Sequence, residues 1–295
     1  MKFKQQILSL LAIFLICIFL LFLFYNDEST FIENNESQKL PKEIIFIKSI
    51  GELGNQPTQF DNPESMDFFN KKLYVLDTDN SRIQIFSKNL DLLSVLPLDI
   101  NNPSGIAITS EKIFVIETYD YLIKSFDHNG NFDNQFSVTW TRDFLADKNF
   151  LYVIEPLIES IQVYDHNGNS IYKLGGIKNL HFINTNDKYL VVSGTHIAHD
   201  PHELLIINKE TRLIEQYFSI SPGTTTGSAI TENNIFLLDN GAVKVFDFNG
   251  NLLFEHFIKI QDFNSHLSKI EINDNFIYVL DTYGHNIQVF QILYE

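Results

Sequence analysis

Tyr74-Val75-Leu76-Asp77-Thr78-Asp79-Asn80-Ser81-Arg82-Ile83-Gln84-Ile85-Phe86 decides the fold. An apolar run ends in an acid, a short polar stretch follows, and a second run alternates apolar and polar residues. β-branched and aromatic residues in that order read as two strands joined by a tight connection. The first run returns as Phe114-Val115-Ile116-Glu117, Tyr152-Val153-Ile154-Glu155, Phe236-Leu237-Leu238-Asp239 and Tyr278-Val279-Leu280-Asp281, with a weaker copy at Leu190-Val191-Val192-Ser193. The six copies start at 74, 114, 152, 190, 236 and 278, so the spacings are 40, 38, 38, 46 and 42. Internal repetition at that period marks a repeat architecture.

The partner run returns as well: Ile123-Lys124-Ser125-Phe126, Ile161-Gln162-Val163-Tyr164, Leu204-Leu205-Ile206-Ile207, Val243-Lys244-Val245-Phe246 and Ile287-Gln288-Val289-Phe290. Three of these lead into Asp127-His128-Asn129-Gly130, Asp165-His166-Asn167-Gly168 and Asp247-Phe248-Asn249-Gly250. Asn-Gly pairs suit a two-residue hairpin with positive φ at both positions. His128 and His166 would then be exposed at hairpin tips. Eight residues before each landmark stands another apolar position: Met66, Ile106, Phe144, Phe182 and Ile270, with Ser228 in the fifth repeat. Four strands per repeat make the pattern of a six-bladed β-propeller, an all-β fold. The chain ends after the third strand of the last repeat. Ile44-Ile45-Phe46-Ile47-Lys48-Ser49-Ile50 can supply the fourth and close the ring. Closure removes exposed sheet edges.

Gly51 to Phe86 resembles an NHL repeat, on Gly54, Phe60, Asn62, Pro63, Tyr74, Val75, Asp77, Asn80, Arg82, Ile83 and Phe86. The second repeat keeps Asn102-Pro103 and Glu117 but has Asp120 and Leu122 for the Asn and Arg. The sixth keeps Asp281 and Ile287 but has Gly284 and Asn286. The resemblance covers about residues 44–295. It implies a propeller whose binding surface is one face and the central channel, and it includes binding modules and a few enzymes.

Residues 1–25 read as an N-terminal signal-anchor, 26–42 as a polar linker and 43–295 as the propeller. The apolar run from Ile7 to Phe24 is interrupted only by Ser9, long enough as a helix to span a bilayer. Lys2 and Lys4 precede it; Asp27 and Glu28 follow. That asymmetry places the N-terminus in the cytoplasm and the propeller outside the cell membrane. A signal peptide cleaved to release a secreted domain is the rival reading, but no small-x-small site follows the run. Cys17, the one cysteine, falls inside it, so the exported part has none. The formal charge is −16, with 21 basic and 37 acidic side chains. Such a surface repels phosphates and excludes a general nucleic-acid binder.

Residues just before the inner apolar positions should line the channel mouth: Glu64 and Ser65, Ser104, Arg142 and Asp143, His181, Thr226, Ser268 and Lys269. Asn102 and Asn179 lie further out. This ring of both signs could orient a polar ligand, or its members could satisfy one another. His196, His199 and His202, at intervals of three, could converge on a divalent metal such as Zn²⁺, although Pro201 interrupts any helix. The bland alternative is a solvated loop. The recurring acids Asp77, Glu117, Glu155, Asp239 and Asp281 read as hydrogen-bonding devices, since a catalyst is not needed in every blade. Trp140 reads as core or as an anchor near the channel. No motif demands a cofactor; a divalent metal is the candidate. The expected function is a membrane-tethered module that binds an extracytoplasmic protein, peptide or glycan. The alternative is a metal-dependent enzyme, with lactonases and the peptide-amidating lyase as analogies. Glu64, Asp143 and Asn179 would be the ligands of a lactonase-like site, and His181 with the histidine cluster those of a lyase-like one.

Overall fold

The structure, a computed structural model, describes residues 40–141, 143–194, 203–220, 225–258 and 266–295. The apolar run 7–24, the linker up to 39, Arg142, and His196, His199 and His202 lie outside the described residues. No helix among the described residues is long and apolar enough to cross a membrane.

Among the described residues, twenty-four strands form six four-stranded antiparallel sheets. β1 (Pro41–Ile50) is the first of them. Blade one is β2 (Pro63–Phe69), β3 (Lys72–Asp77), β4 (Arg82–Ser87) and β5 (Leu92–Pro97). Blade two is β6 (Pro103–Ile108), β7 (Ile113–Glu117), β8 (Leu122–Phe126) and β9 (Phe132–Ser137). Blade three is β10 (Phe144–Ala146), β11 (Leu151–Glu155), β12 (Ser160–Tyr164) and β13 (Ser170–Gly175). Blade four is β14 (Ile183–Thr185), β15 (Tyr189–Gly194), β16 (Glu203–Asn208) and β17 (Ile214–Ser219). Blade five is β18 (Thr225–Ile230), β19 (Ile235–Asp239), β20 (Ala242–Phe246) and β21 (Leu252–Phe257). Blade six is β22 (Leu267–Asn273), β23 (Phe276–Asp281) and β24 (Asn286–Tyr294), completed by β1. Successive inner strands are neighbours, and β22 returns to β2, so the sheets form a ring.

Closure follows the sequence reading. β1 runs antiparallel to β24, from Pro41 opposite Tyr294 to Ile50 opposite Ile287. Middle strands are buried on both sides; Ile113–Glu117 and Ile235–Asp239 have no exposed residue. Each sends alternate side chains to two neighbouring blades. Tyr74 and Leu76 pack with Ile106 and Val115 of blade two, whereas Leu73 and Val75 pack with Tyr278 and Leu280 of blade six. Six such apolar clusters fill the six spaces between blades. A period of two with both faces apolar is the pattern a sheet buried between sheets requires.

Two sequence expectations are corrected. The Asn-Gly hairpins are not two-residue turns. Among their residues only Gly130, Gly168 and Gly250 have positive φ, and each turn carries a register shift. The preceding aspartate prevents the tighter form: Asp165 Oδ1 accepts from Asn167 N and Asn169 N at 2.9 Å, which favours a type I turn closed by a glycine bulge. His128 and His166 are half-buried, not exposed tips. Their Nε2 atoms meet Thr109 O and Asp147 O at 3.0 Å, and their rings lie against Tyr74 and Phe114 of the preceding blade. Phe248 repeats the device against Tyr189.

The weak fourth repeat is displaced by one residue. Turn hydrogen bonds Asp147 N to Phe150 O and Asn186 N to Tyr189 O are equivalent. The landmark is therefore Val191-Val192-Ser193-Gly194, and the inner apolar position is Ile183, opposite Val192. Glycine occupies the place of the acid. A Cβ there would come within 2.9 Å of Lys178 O, so the close approach of that loop excludes a side chain.

Candidate functional site

The recurring acids staple loops. Asp77 Oδ1 accepts from Asp61 N at 2.7 Å, Glu117 Oε1 from Asn101 N at 2.8 Å, Glu155 Oε1 from Thr139 N at 3.0 Å and Asp281 Oδ1 from His266 N at 2.9 Å. Each thus holds the loop that enters its own inner strand. Cations compensate the burial: Arg82 for Asp77, Lys124 for Glu117 and Lys244 for Asp239, all at 2.7 Å. Arg82 also donates to Asn55 O, Gln56 O and Gln59 O, and Asn80 Nδ2 to Gly54 O. The Asp, Asn and Arg of the first repeat therefore build one loop rather than a reactive centre.

Inner strands start at the face that carries the entering loops and the second-to-third-strand connections, here the entry face. The first-to-second-strand turns lie on the opposite, turn face. Most mouth residues bind within their own blade or to a neighbouring one. Thr226 Oγ1 donates to Leu267 O at 2.6 Å, Ser65 Oγ accepts from Ile106 N at 3.3 Å, and Ser104 Oγ accepts from Thr118 Oγ1. Ser268 and Thr282 share a hydroxyl hydrogen bond of 2.7 Å. Glu64 accepts from Asn62 Nδ2 at 3.1 Å; burial raises its pKa, the Asn62 bond opposes this and Asp79 adds to it. His181 is half-buried, with its backbone N bonded to Ser193 O.

One pair crosses the ring. Lys269 Nζ meets Asp143 Oδ1 at 2.8 Å. Lys269 is in blade six and Asp143 enters blade three, diametrically opposite positions. The other Asp143 oxygen, Oδ2, accepts from Ile183 N at 3.1 Å, an edge amide of blade four. Burial opposes the Lys269 charge, but Asp143, Glu271 and Asp67 outweigh it and its pKa is raised. Both Asp143 oxygens are thus engaged. Among the described residues no three histidine, cysteine or carboxylate side chains are grouped to hold a metal ion.

Beneath this pair lies a cavity of about 510 Å³, walled by the later halves of the inner strands. Phe68, Phe69, Ile108, Phe144, Ile230 and Ile272 line one part of it, polar Thr109, Asn184 and Thr185 another, and exposed Ser110 and Lys148 place its rim at the turn face. Asp67, Lys269 and Glu271 border its inner end. Asp67 Oδ2 accepts from Ile108 N at 2.6 Å. Burial pushes the Asp67 carboxyl up to about 6 against the pull of that amide and of Lys269. Glu271 is raised well above its usual value, first by burial and then by the Asp67 charge.

The entry face presents large apolar side chains to solvent. Tyr119 is 75% exposed, Tyr121 49%, Leu157 71% and Ile158 48%, on the second-to-third-strand turns of adjacent blades two and three. Tyr283 of blade six and Leu53 are exposed on the same face. Trp140, half-buried, stands in the loop entering blade three. Exposed Asp99, Asp120 and Glu159 surround the blade two and three turns.

No protein-family model matches the chain, and no curated protein does. Solved structures do. Virginiamycin B lyase from Staphylococcus aureus aligns with 85% of this chain and 100% of that one, at 12% identity and a TM-score of 0.61. BamB from Moraxella catarrhalis aligns with 85% of this chain and 98% of that one, at 13% identity and a TM-score of 0.53. Raptor from Chaetomium thermophilum aligns with 86% of this chain, at 11% identity and a TM-score of 0.60, although the chain spans only 30% of it. These are likenesses of fold alone.

Sequence reasoning missed two groups. Asp67 and Glu271 sit one strand position beyond the inner apolar residues and so below the mouth ring. Single acids in Met66-Asp67-Phe68 and Ile270-Glu271-Ile272 were the available signal. Tyr119, Tyr121, Leu157 and Ile158 stand in turns where polar residues are usual, which was the other.

Proposed function

We propose that this protein is an extracytoplasmic binding module that presents its entry face to a basic polypeptide. The observation that carries this reading is the exposure of Tyr119, Tyr121, Leu157 and Ile158 on adjacent blades. Aromatic and aliphatic anchors inside a polar rim make a binding surface for protein. Tyrosine rings beside exposed carboxylates suit lysine and arginine side chains through charge and cation–π attraction. The overall charge agrees: residues 26–295 lack Lys2 and Lys4 but keep every acid, which leaves −18. The apolar run 7–24 would hold the module at the membrane with the propeller outside. The channel mouth, from Glu64 to Lys269, would add polar contacts at the centre of the face.

Selection of displayed random peptides on the full-length protein tests this. Lys- and Arg-rich peptides with apolar residues are expected, and their affinity should fall as salt rises. Replacing Tyr119 and Leu157 by serine should weaken them about tenfold or more, the loss of one or two anchors. Peptides that bind the double variant equally well would remove the entry face from the reading.

A further inference from the structure

The cavity at the turn face has no part in that reading. Its volume of about 510 Å³ falls within the range of small-molecule sites. Its polar groups are unevenly matched. Lys269 is the one ammonium at its inner end and is held by Asp143 at 2.8 Å. Asp67 spends one oxygen on Ile108 N. Glu271, half-buried on the cavity wall, makes no hydrogen bond among the described residues and feels the charges of Asp67, Lys269 and Asp143. A third acceptor, Asn273 Oδ1, is buried without a partner and its residue lines the same wall.

We propose that this cavity binds a small organic cation, an amine with an apolar body, whose ammonium hydrogens are accepted by Glu271, Asp67 and Asn273. An ammonium group carries donors and no acceptor, which complements three oxygens left short of donors. Its charge would favour ionisation of the Glu271 carboxyl, which burial and the Asp67 charge otherwise disfavour. Phe68, Phe69, Ile108, Ile230 and Ile272 provide an apolar wall that a hydrated metal ion would not reward and a hydrocarbon body does. An anion would meet two acidic groups and a Lys269 already held by Asp143.

Calorimetric titration of the full-length protein with phenethylamine, phenethyl alcohol and 3-phenylpropionate tests this. Phenethylamine should bind saturably and at least about tenfold more tightly than the alcohol, and the carboxylate should not bind. Glu271→Gln should reduce that preference by about tenfold while alcohol binding stays unchanged. Because Glu271 holds no hydrogen bond and its burial disfavours its charge, the variant should melt at or above the wild-type temperature. If it does not fold, Asn273→Ala should still weaken the amine selectively. Equal affinity for amine and alcohol would reduce the cavity to an apolar hole, and no binding by any probe would overturn the proposal. So would wild-type amine affinity in Glu271→Gln. Serine at Tyr119 and Leu157 should leave amine binding intact, which separates this test from that of the entry face.

Discussion

Single residues carry large, separable effects in this ring. Asp77 is fully buried and accepts from Asp61 N, Asn80, Arg82 and Gln84. Asp77→Ala should cost about 3–5 kcal/mol in urea unfolding, because it strands a part-buried guanidinium; a loss under about 1 kcal/mol would mean the loop holds itself. Asp67 sets a pH window of the opposite kind. Its folded carboxyl titrates at about 6, above the unfolded value of 3.8, so the native state binds the extra proton. Stability from this group is present at low pH and declines as pH rises from about 4 to about 6. Lys269, Glu271 and Tyr74 face it; the raised Glu271 extends the decline upward. Asp67→Asn should flatten that slope in urea titrations. An unchanged slope would place the decline elsewhere. The hairpin acids act lower. Asp127, held at about 2 by Asn131 and Asn129, stabilises above 3.8 and loses this as pH falls towards 2.

At the scale of elements, the third-to-fourth-strand hairpins set blade spacing. Gly168 has φ +85°, and a Cβ there would meet the Phe136 ring of the previous blade at 2.4 Å. Gly176 has a similar φ of +80° with nothing within 4 Å. Gly176→Ala should cost only the backbone term, about 1–2 kcal/mol. Gly168→Ala should cost more and shift the Phe136 environment. Equal melting temperatures for the two would show that the ring yields freely. The strands themselves were legible, because period-two runs and recurrent acids report a buried middle strand directly. Blade four was read one residue early because Gly194 stands where the other blades carry an acid. The hairpin geometry was misjudged because the Asp three residues ahead of each bulge glycine, a local hydrogen-bonding competitor, outweighed the Asn-Gly signal.

For the whole molecule, ring closure could be read from an unpaired run at one end and a missing strand at the other. The cavity could not. Its acids come from Asp67 and Glu271, far apart in sequence, and only closure makes them neighbours. Replacing residues 44–50 by a Gly/Ser linker should therefore lower the melting temperature and expose the β24 edge, giving concentration-dependent association in light scattering. A monomer of wild-type stability would mean that the last blade stands on three strands.

The clasp between β1 and β24 also imposes an order on the making of the protein. Pro41 leaves the ribosome long before Tyr294, yet they lie opposite each other. The first strand of the ring must wait, unsheathed, until β24 has been translated. A message that stops before β24 would release a ring without its lock, so the clasp serves as a check that every blade has been made.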